Sequence, residues 1–453
     1  VGTFFLGKYG TGKIFHLQRK SQEICRIDKI TTHAGMVPDF MKKNLILIAA
    51  VIILLGLTAG QLFYTGGRPA GEDTVTTVGK ARYGMDISPK TGSEQEKGTA
   101  DMETGKEIQP VNRDTAESET IPEKQQEEEN ILPERVAVKG IYATGYTAGS
   151  QNIERLIDLI DKTELNALVL DIKDASGYLT TPLQLDTELS VNAFAYKIKD
   201  LNGLVARLKE KDIYAIARIV VFKDPVAAGK YPELAVQKKS GGIWRDYQGK
   251  AWTNPFKKEV WDYNLAVALA AARAGFQEIQ FDYVRFPADG PLKEVVYPGG
   301  KGKNKAETIA EFLAYARERL RREGVYVSAD VFGLTCSAQD DLGIGQKIEL
   351  IAAGTDYVSP MVYPSHYAPG SYGIKNPNAS PYRTVYRSLT DAVYKTRGTG
   401  SIIRPWLQDF SYGYPYGAKE VRAQIKATYD AGLKEWILWN PSNHYTGSAL
   451  LRD

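Results

Sequence analysis

Carboxylates, amides and large aromatics recur at the ends of short apolar runs in the C-terminal two-thirds of this chain. Asp171 and Asp174 close LVLDIKDASG, Arg218 stands in IYAIARIVV, and Asp282 with Arg285 in EIQFDYVRFP. Asp330 lies in VSADVFG, Tyr363 and His366 in DYVSPMVYPSHY, Trp406, Gln408 and Asp409 in RPWLQDF, and Trp439 with Asn440 in WILWNPSNHY. Such a set suits carbohydrate chemistry: carboxyls act on a glycosidic bond, amides hold hydroxyls, and flat rings stack on sugar faces. Glycoside hydrolysis uses two carboxyls, and Asp282 and Asp330 are the expected pair. They fall on runs read as neighbouring strands, about 4.8 Å apart. If both point inward at one height, their carboxyls approach the roughly 5 to 5.5 Å of retaining enzymes.

Each residue also has a plainer reading. Asp282 beside Arg285 could be a buried ion pair, since buried charges are usually paired, and Asp330 could serve only to orient Asp282 or a barrel arginine. Asp171 reads as pointing to the mouth, Asp174 as a turn residue. His366 is expected to hydrogen-bond substrate rather than hold a metal, because no second His lies at ligand spacing. Trp406 and Trp439 serve equally as core plugs or sugar platforms. Trp244 and Trp252, in GGIWRDYQGKAWTNP, read as aromatics of a surface insertion flanking the cleft. No metal or cofactor is expected.

The elements that must position these residues alternate regularly. Strand-like runs cover Val138 to Tyr146, Ala167 to Lys173, Ile213 to Val221, Glu278 to Phe286, Tyr326 to Gly333, Tyr357 to Tyr363, Ile402 to Gln408 and Glu435 to Asn440. Amphipathic stretches separate them, among them Asn152 to Lys162, Leu201 to Lys211, Val260 to Ala274, Ala306 to Arg322 and Ala418 to Ala431. Eight such units predict an α/β chain folded as a (β/α)₈ TIM barrel over residues 136–453, with chemistry at the strands' C-terminal ends. A doubly wound open sheet is the competitor, but no Gly-rich phosphate turn follows the first strand. Long insertions at Phe222 to Lys258, Pro287 to Lys305 and Pro364 to Pro381 all leave strand C-termini, as a substrate cleft requires.

The rest of the chain reads as a tether. Leu45 to Tyr64 is almost unbroken apolar sequence behind Lys42 and Lys43, which suits a membrane anchor over 41–64 with residues 45–64 in the bilayer; Thr58-Ala59-Gly60 leaves signal cleavage and secretion as the alternative. The lysines place the barrel outside the cytoplasm. Residues 65–135 are polar and end in an acidic run, a disordered linker. Residues 1–40 read as an upstream-extended gene start, with Met41 the expected initiator, or as a short cytoplasmic tail. With 57 basic and 54 acidic residues the net charge is only +3, so no nucleic-acid partner is expected. The two cysteines and four histidines support neither a disulfide framework nor a metal centre.

The motifs quoted above, in order and without a missing strand from Val138 to Tyr445, resemble the bacterial glycosyl hydrolase family catalogued as domain of unknown function 4015. The resemblance implies a TIM barrel related to α-amylase-like glycosidases, in which an Asp ending the fourth strand is the nucleophile. Asp282 occupies that place. At the fifth strand this chain departs from the α-amylase-like pattern, with Asp330 where the acid/base Glu would stand. The function expected is a retaining glycosidase of an extracytoplasmic polysaccharide or cell-envelope glycan. In it Asp282 attacks and Asp330 donates the proton, while Asp171, Arg218, Arg285, Tyr363, His366, Gln408, Asp409, Asn440 and the tryptophans hold the sugar. The rival is a carbohydrate-binding scaffold barrel without turnover. A metal-dependent deacetylase lacks the necessary histidines.

Overall fold

The structure, a computed structural model, describes residues 132–191 and 193–452. The expected anchor over 45–64, residues 1–40 and the linker up to residue 131 lie outside the described residues. Among the described residues no helix is long and apolar enough to cross a membrane.

Eight strands close a parallel barrel: β1 (Lys139–Ala143), β2 (Ala167–Lys173), β3 (Tyr214–Val220), β4 (Glu278–Asp282), β5 (Tyr326–Phe332), β6 (Tyr357–Met361), β7 and β8 (Trp436–Trp439). β7 comes in two pieces, Ile402–Ile403 and Trp406–Gln408. Pro405 between them has no N–H to give the ladder, which interrupts there. The first piece pairs with β6, the second with β8, and β8 pairs with β1, closing the ring. Around it run α1 (Asn152–Asp161), α2 (Leu201–Glu210), α3 (Lys258–Arg273), α4 (Lys305–Arg321), α5 (Ile348–Ala353), α6 (Pro381–Thr396) and α7 (Ala418–Asp430). The sequence pattern explains both layers. β2, β3, β4 and β5 are buried at every residue, as strands covered by helices outside and side chains inside must be. α1 buries Ile153, Leu156, Ile157 and Ile160, an i, i+3, i+4, i+7 stripe turned to the barrel. α4 starts where the Asn304 side chain accepts the Ala306 and Glu307 amides.

The expected runs overshoot three strands at their C-terminal ends, because they took rim residues for strand. β1 stops at Ala143, where Thr144 caps the short helix Gly145–Ala148. β4 stops at Asp282, and Tyr283 turns away at φ +49°. β6 stops at Met361, ahead of the turn Pro364–His366.

Trp244 and Trp252 are not surface aromatics. They are 0% and 1% exposed, because two insertions build a small core together: Gln237–Lys238 pairs antiparallel with Val295–Val296. Trp244 donates its indole N–H to the Pro291 carbonyl at 3.1 Å and Trp252 donates to Asp246 at 3.1 Å. Gly290, at φ +102°, lies so close that a Cβ there would sit 2.6 Å from the Trp244 ring, so only glycine fits. Trp244→Ala is therefore expected to lower the stability of the full chain by about 3 to 5 kcal/mol. Urea unfolding measures it, and a loss under 1 kcal/mol would return the ring to the surface.

Candidate active site

Register sets the site. Arg218 pairs with Asp171 across β2 and β3, and Val220 with Asp282 across β3 and β4. Phe281 pairs with Ala329, so one step further brings Asp282 level with Asp330, on strands about 4.8 Å apart. These residues share the inward phase of their strands, which is why alternation in the sequence could align them.

Arg218 gathers three carboxyls. It donates through Nη1 to Asp171 at 2.5 Å and through Nη2 to Asp282, and its Nε lies 3.8 Å from Asp330. Burial alone would lower the guanidinium's pKa; the Asp282 and Asp171 carboxylates outweigh burial and hold it well above the ordinary value. Asp282 also accepts the Tyr283 amide, so donors surround it. The Tyr283 backbone, left-handed in a bulky residue, costs on the order of 1 to 2 kcal/mol. Strain thus lies immediately beside the strand-end carboxylate. Asp330 is set differently. It is 1% exposed, and its Oδ1 accepts the Trp406 indole N–H at 2.7 Å. Burial first, and then the neighbouring Asp282 charge, push its carboxyl well above the ordinary range, against the pull of Arg218. Burial likewise raises Asp171 while Arg218 and Tyr142 oppose it.

Tyr142 was not anticipated. It ends β1's inward row, donates its hydroxyl to Asp171 at 2.6 Å, and stacks on Trp439 with ring centroids 4.2 Å apart and 22° between planes. The signal was available in the alternation Gly140, Tyr142, the inward phase of β1. Trp439 is half-buried, with the Arg218 guanidinium 5.5 Å from its ring, so it lies over the carboxyl cluster. Trp406 is a plug, 1% exposed, set edge-on to Trp439. Tyr363 is near enough that burial, Asp330 and Asp282 all raise its hydroxyl pKa. His366, half-buried, packs 5.3 Å from Tyr363, receives or gives a hydrogen bond at Ser365 Oγ (2.9 Å), and is pushed down to about 4 by burial.

Four expected sugar contacts are spent elsewhere. Arg285 makes no ion pair with Asp282; it donates to the Phe286 carbonyl and lies between the rings of Phe332 and Trp252, 4.6 and 4.9 Å away. Gln408 accepts the Ser365 amide and donates to the Phe410 carbonyl. Asp409 takes the Thr446 amide and hydroxyl at 2.8 and 2.6 Å, and Asn440 donates to the Asp409 and His444 carbonyls. Rim polarity here ties loops together. Asp174 is a turn residue, accepting the Ser176 and Tyr178 amides. Among the described residues no group of three or more His, Cys, Asp or Glu is placed to hold a metal ion.

Comparison with known proteins agrees with the fold. The glycoside hydrolase domain of PgaB (BpsB) from Bordetella bronchiseptica aligns over 69% of this chain and 98% of its own, at 15% identity and TM-score 0.53. A hypothetical protein from Ruminiclostridium thermocellum is 41% identical over 42% of this chain and 97% of its own, with TM-score 0.37. The spore cortex-lytic enzyme SleL of Bacillus megaterium covers 70% of this chain and 73% of its own at 14% identity and TM-score 0.42. No curated protein matches. The family model described as "Putative glycosyl hydrolase domain" matches residues 140–445, most of the chain, and the chain belongs to that family.

Proposed function

We propose that this barrel hydrolyses glycosidic bonds in an extracytoplasmic, cell-envelope glycan by a retaining mechanism, with Asp282 the nucleophile and Asp330 the proton donor. One observation carries this reading: two buried carboxyls share Arg218, yet Asp282 accepts directly from the guanidinium and the Tyr283 amide while Asp330 lies further from the guanidinium with its pKa raised. Opposed environments of this kind are how a site keeps a base and an acid side by side. The Trp406 N–H engages Asp330 Oδ1, and Oδ2, which lies 3.8 Å from Arg218 Nε, carries the proton. In the first step Asp282 bonds to the anomeric carbon as the bond to the leaving oxygen breaks, and the Asp330 proton passes to that oxygen. In the second, the Asp330 carboxylate takes a proton from water, which displaces Asp282 and restores both groups. Trp439, stacked on Tyr142, lies where a sugar face would rest. Envelope location rests on the apolar segment 45–64 and the lysines before it.

The electrostatics predict the pH profile. Activity needs Asp330 protonated, so kcat/KM is present below its raised pKa and declines as pH climbs through it. A profile flat through the alkaline side would remove Asp330 from the acid role. Full-length protein assayed on dinitrophenyl glycosides, whose leaving group needs little protonation, separates the roles further. Asp330→Asn should lose about 100-fold or more on a glycan and far less on such a glycoside. Product of inverted configuration would rule out the retaining mechanism.

A second reading, a glycan-binding barrel without turnover, is favoured by the near-complete burial of Asp330. It requires wild-type protein to bind a glycan and release no reducing ends.

A further inference from the structure

Three exposed tyrosines share one small piece of the rim. Tyr146, in the short helix after β1, is 65% exposed, and Tyr178 and Tyr196, in the loop after β2, are 42% and 69% exposed. They are held as a unit. The Lys197 ammonium lies 4.4 Å from the Tyr146 ring centroid and is paired with Asp174 at 2.6 Å. Asp174 takes the Tyr178 amide on its side chain, and its own amide donates to the Tyr178 carbonyl at 3.0 Å. Tyr196, next to Lys197, adopts φ +40°, a left-handed backbone that a bulky residue takes only when its surroundings impose it. The unit is anchored to the centre: the Lys197 and Ile198 amides donate to the Thr180 carbonyl at 2.8 and 2.9 Å, and the Thr180 hydroxyl donates to the Asp171 carbonyl at 2.7 Å.

Exposed aromatics grouped this way mark a binding surface. Their chemistry selects the ligand. A membrane-binding surface pairs apolar rings with free cations, whereas Lys197 is neutralised by Asp174 and each ring carries a hydroxyl. Rings with polar edges, beside a carboxyl site read as glycosidic, suit sugar faces. The geometry points to an outlying glycan subsite: Tyr146, Tyr178 and Tyr196 form a platform that holds sugar units of the same chain beyond the cleaved bond. The substrate is then a polysaccharide cut internally rather than a short oligosaccharide trimmed from its end. This rests on the glycosidase reading of the centre.

Affinity electrophoresis of the full-length protein through gels containing glycol chitin, soluble starch or laminarin tests it. At least one polymer should retard the wild type, and the triple variant Tyr146→Ala, Tyr178→Ala, Tyr196→Ala should bind that polymer about tenfold or more weakly. The triple Phe variant, which keeps the ring faces but not the hydroxyls, should keep part of the retardation, and a urea midpoint of the triple Ala variant equal to wild type excludes misfolding. Tyr394→Ala, equally exposed at 63% on α6, should change nothing. Equal retardation of the triple Ala variant overturns the platform, as does retardation of the wild type by none of the polymers. Loss of binding to phosphatidylglycerol vesicles, with polymer retardation intact, makes the patch a membrane contact and overturns it too. Reducing-end release is read separately. Retardation that the triple Ala variant loses, without release of reducing ends, defeats the glycosidase reading and leaves the platform; release with retardation unchanged in the variant defeats the platform alone.

Discussion

Asp282→Asn is expected to lower kcat on any glycan this protein cleaves by about 10⁴-fold or more, some 5.5 kcal/mol of transition-state stabilisation. The side chain keeps its shape, and its oxygen can still accept from Arg218. Its NH₂, however, meets the Tyr283 amide, donor against donor, at the position where the carboxylate accepts that N–H. The fold cost is therefore limited to about 1 to 3 kcal/mol, and the catalytic loss far exceeds it. The loss should fall on kcat and kcat/KM together, because the bond to the anomeric carbon exists only from the transition state onward. In Asp282→Gly, where the side chain is gone, added azide can occupy the space of the missing nucleophile and should restore turnover on an activated aryl glycoside, giving a glycosyl azide of inverted configuration. Asp171→Asn offers the contrast: its carboxyl touches Arg218 and Tyr142, so it positions the arginine and azide should not rescue it. Were Asp282→Asn to keep wild-type turnover while Asp171→Asn lost it, the nucleophile would move to β2.

The residues differ in how much of this was legible beforehand, and the reasons are physical. Strands buried on both faces read as continuous apolar runs, so the runs read from sequence coincide with β2 and fall within a residue of β3, β5 and β8 at each end. That Asp282 and Asp330 both face inward follows from strand phase alone, although their common level needs the register of β4 against β5. Arg218's grip on three carboxyls does not follow from phase, since it depends on the mutual register of β2, β3, β4 and β5. The plainer reading paired Asp282 with Arg285, three residues on, but Tyr283's left-handed turn carries Arg285 away into an aromatic cage. Trp244 and Trp252 misled for a related reason. Their insertion looked like surface because its covering partner, Val295–Val296, arrives from a second insertion more than 40 residues later. Gln408, Asp409 and Asn440 show the remaining gap: a polar residue at a strand end reads the same whether it faces a sugar or a loop carbonyl.

The opposite end of the barrel should yield a loss of stability as large as that of Trp244→Ala. Arg404, fully buried just ahead of Pro405, donates to both Glu278 oxygens at 2.8 and 2.7 Å and to Glu435 at 2.7 Å, and lies 3.7 Å from the centre of the Tyr357 ring. Burial would lower its pKa, but Glu278 and Glu435 outweigh burial and hold it above the ordinary value. Glu278 opens β4 and Glu435 directly precedes β8, so this cluster sits at the N-terminal face, where barrel residues serve stability. Arg404→Met leaves two buried carboxyls facing each other without a cation, and is expected to destabilise the full chain by about 3 to 5 kcal/mol in urea unfolding. In the variant, Glu278 is expected to bind a proton on folding, so the folded state holds more protons than the unfolded one, and stability present at low pH is lost as pH rises through the folded-state pKa. The deficit should therefore be larger at pH 8 than at pH 5. Replacing Arg404, Glu278 and Glu435 together with apolar residues of similar volume should recover most of the loss, because the desolvation cost of all three charges disappears with them. A single variant as stable as the wild type at pH 8, or a deficit that shrinks as pH rises, would show that the cluster does not hold the barrel floor in this way.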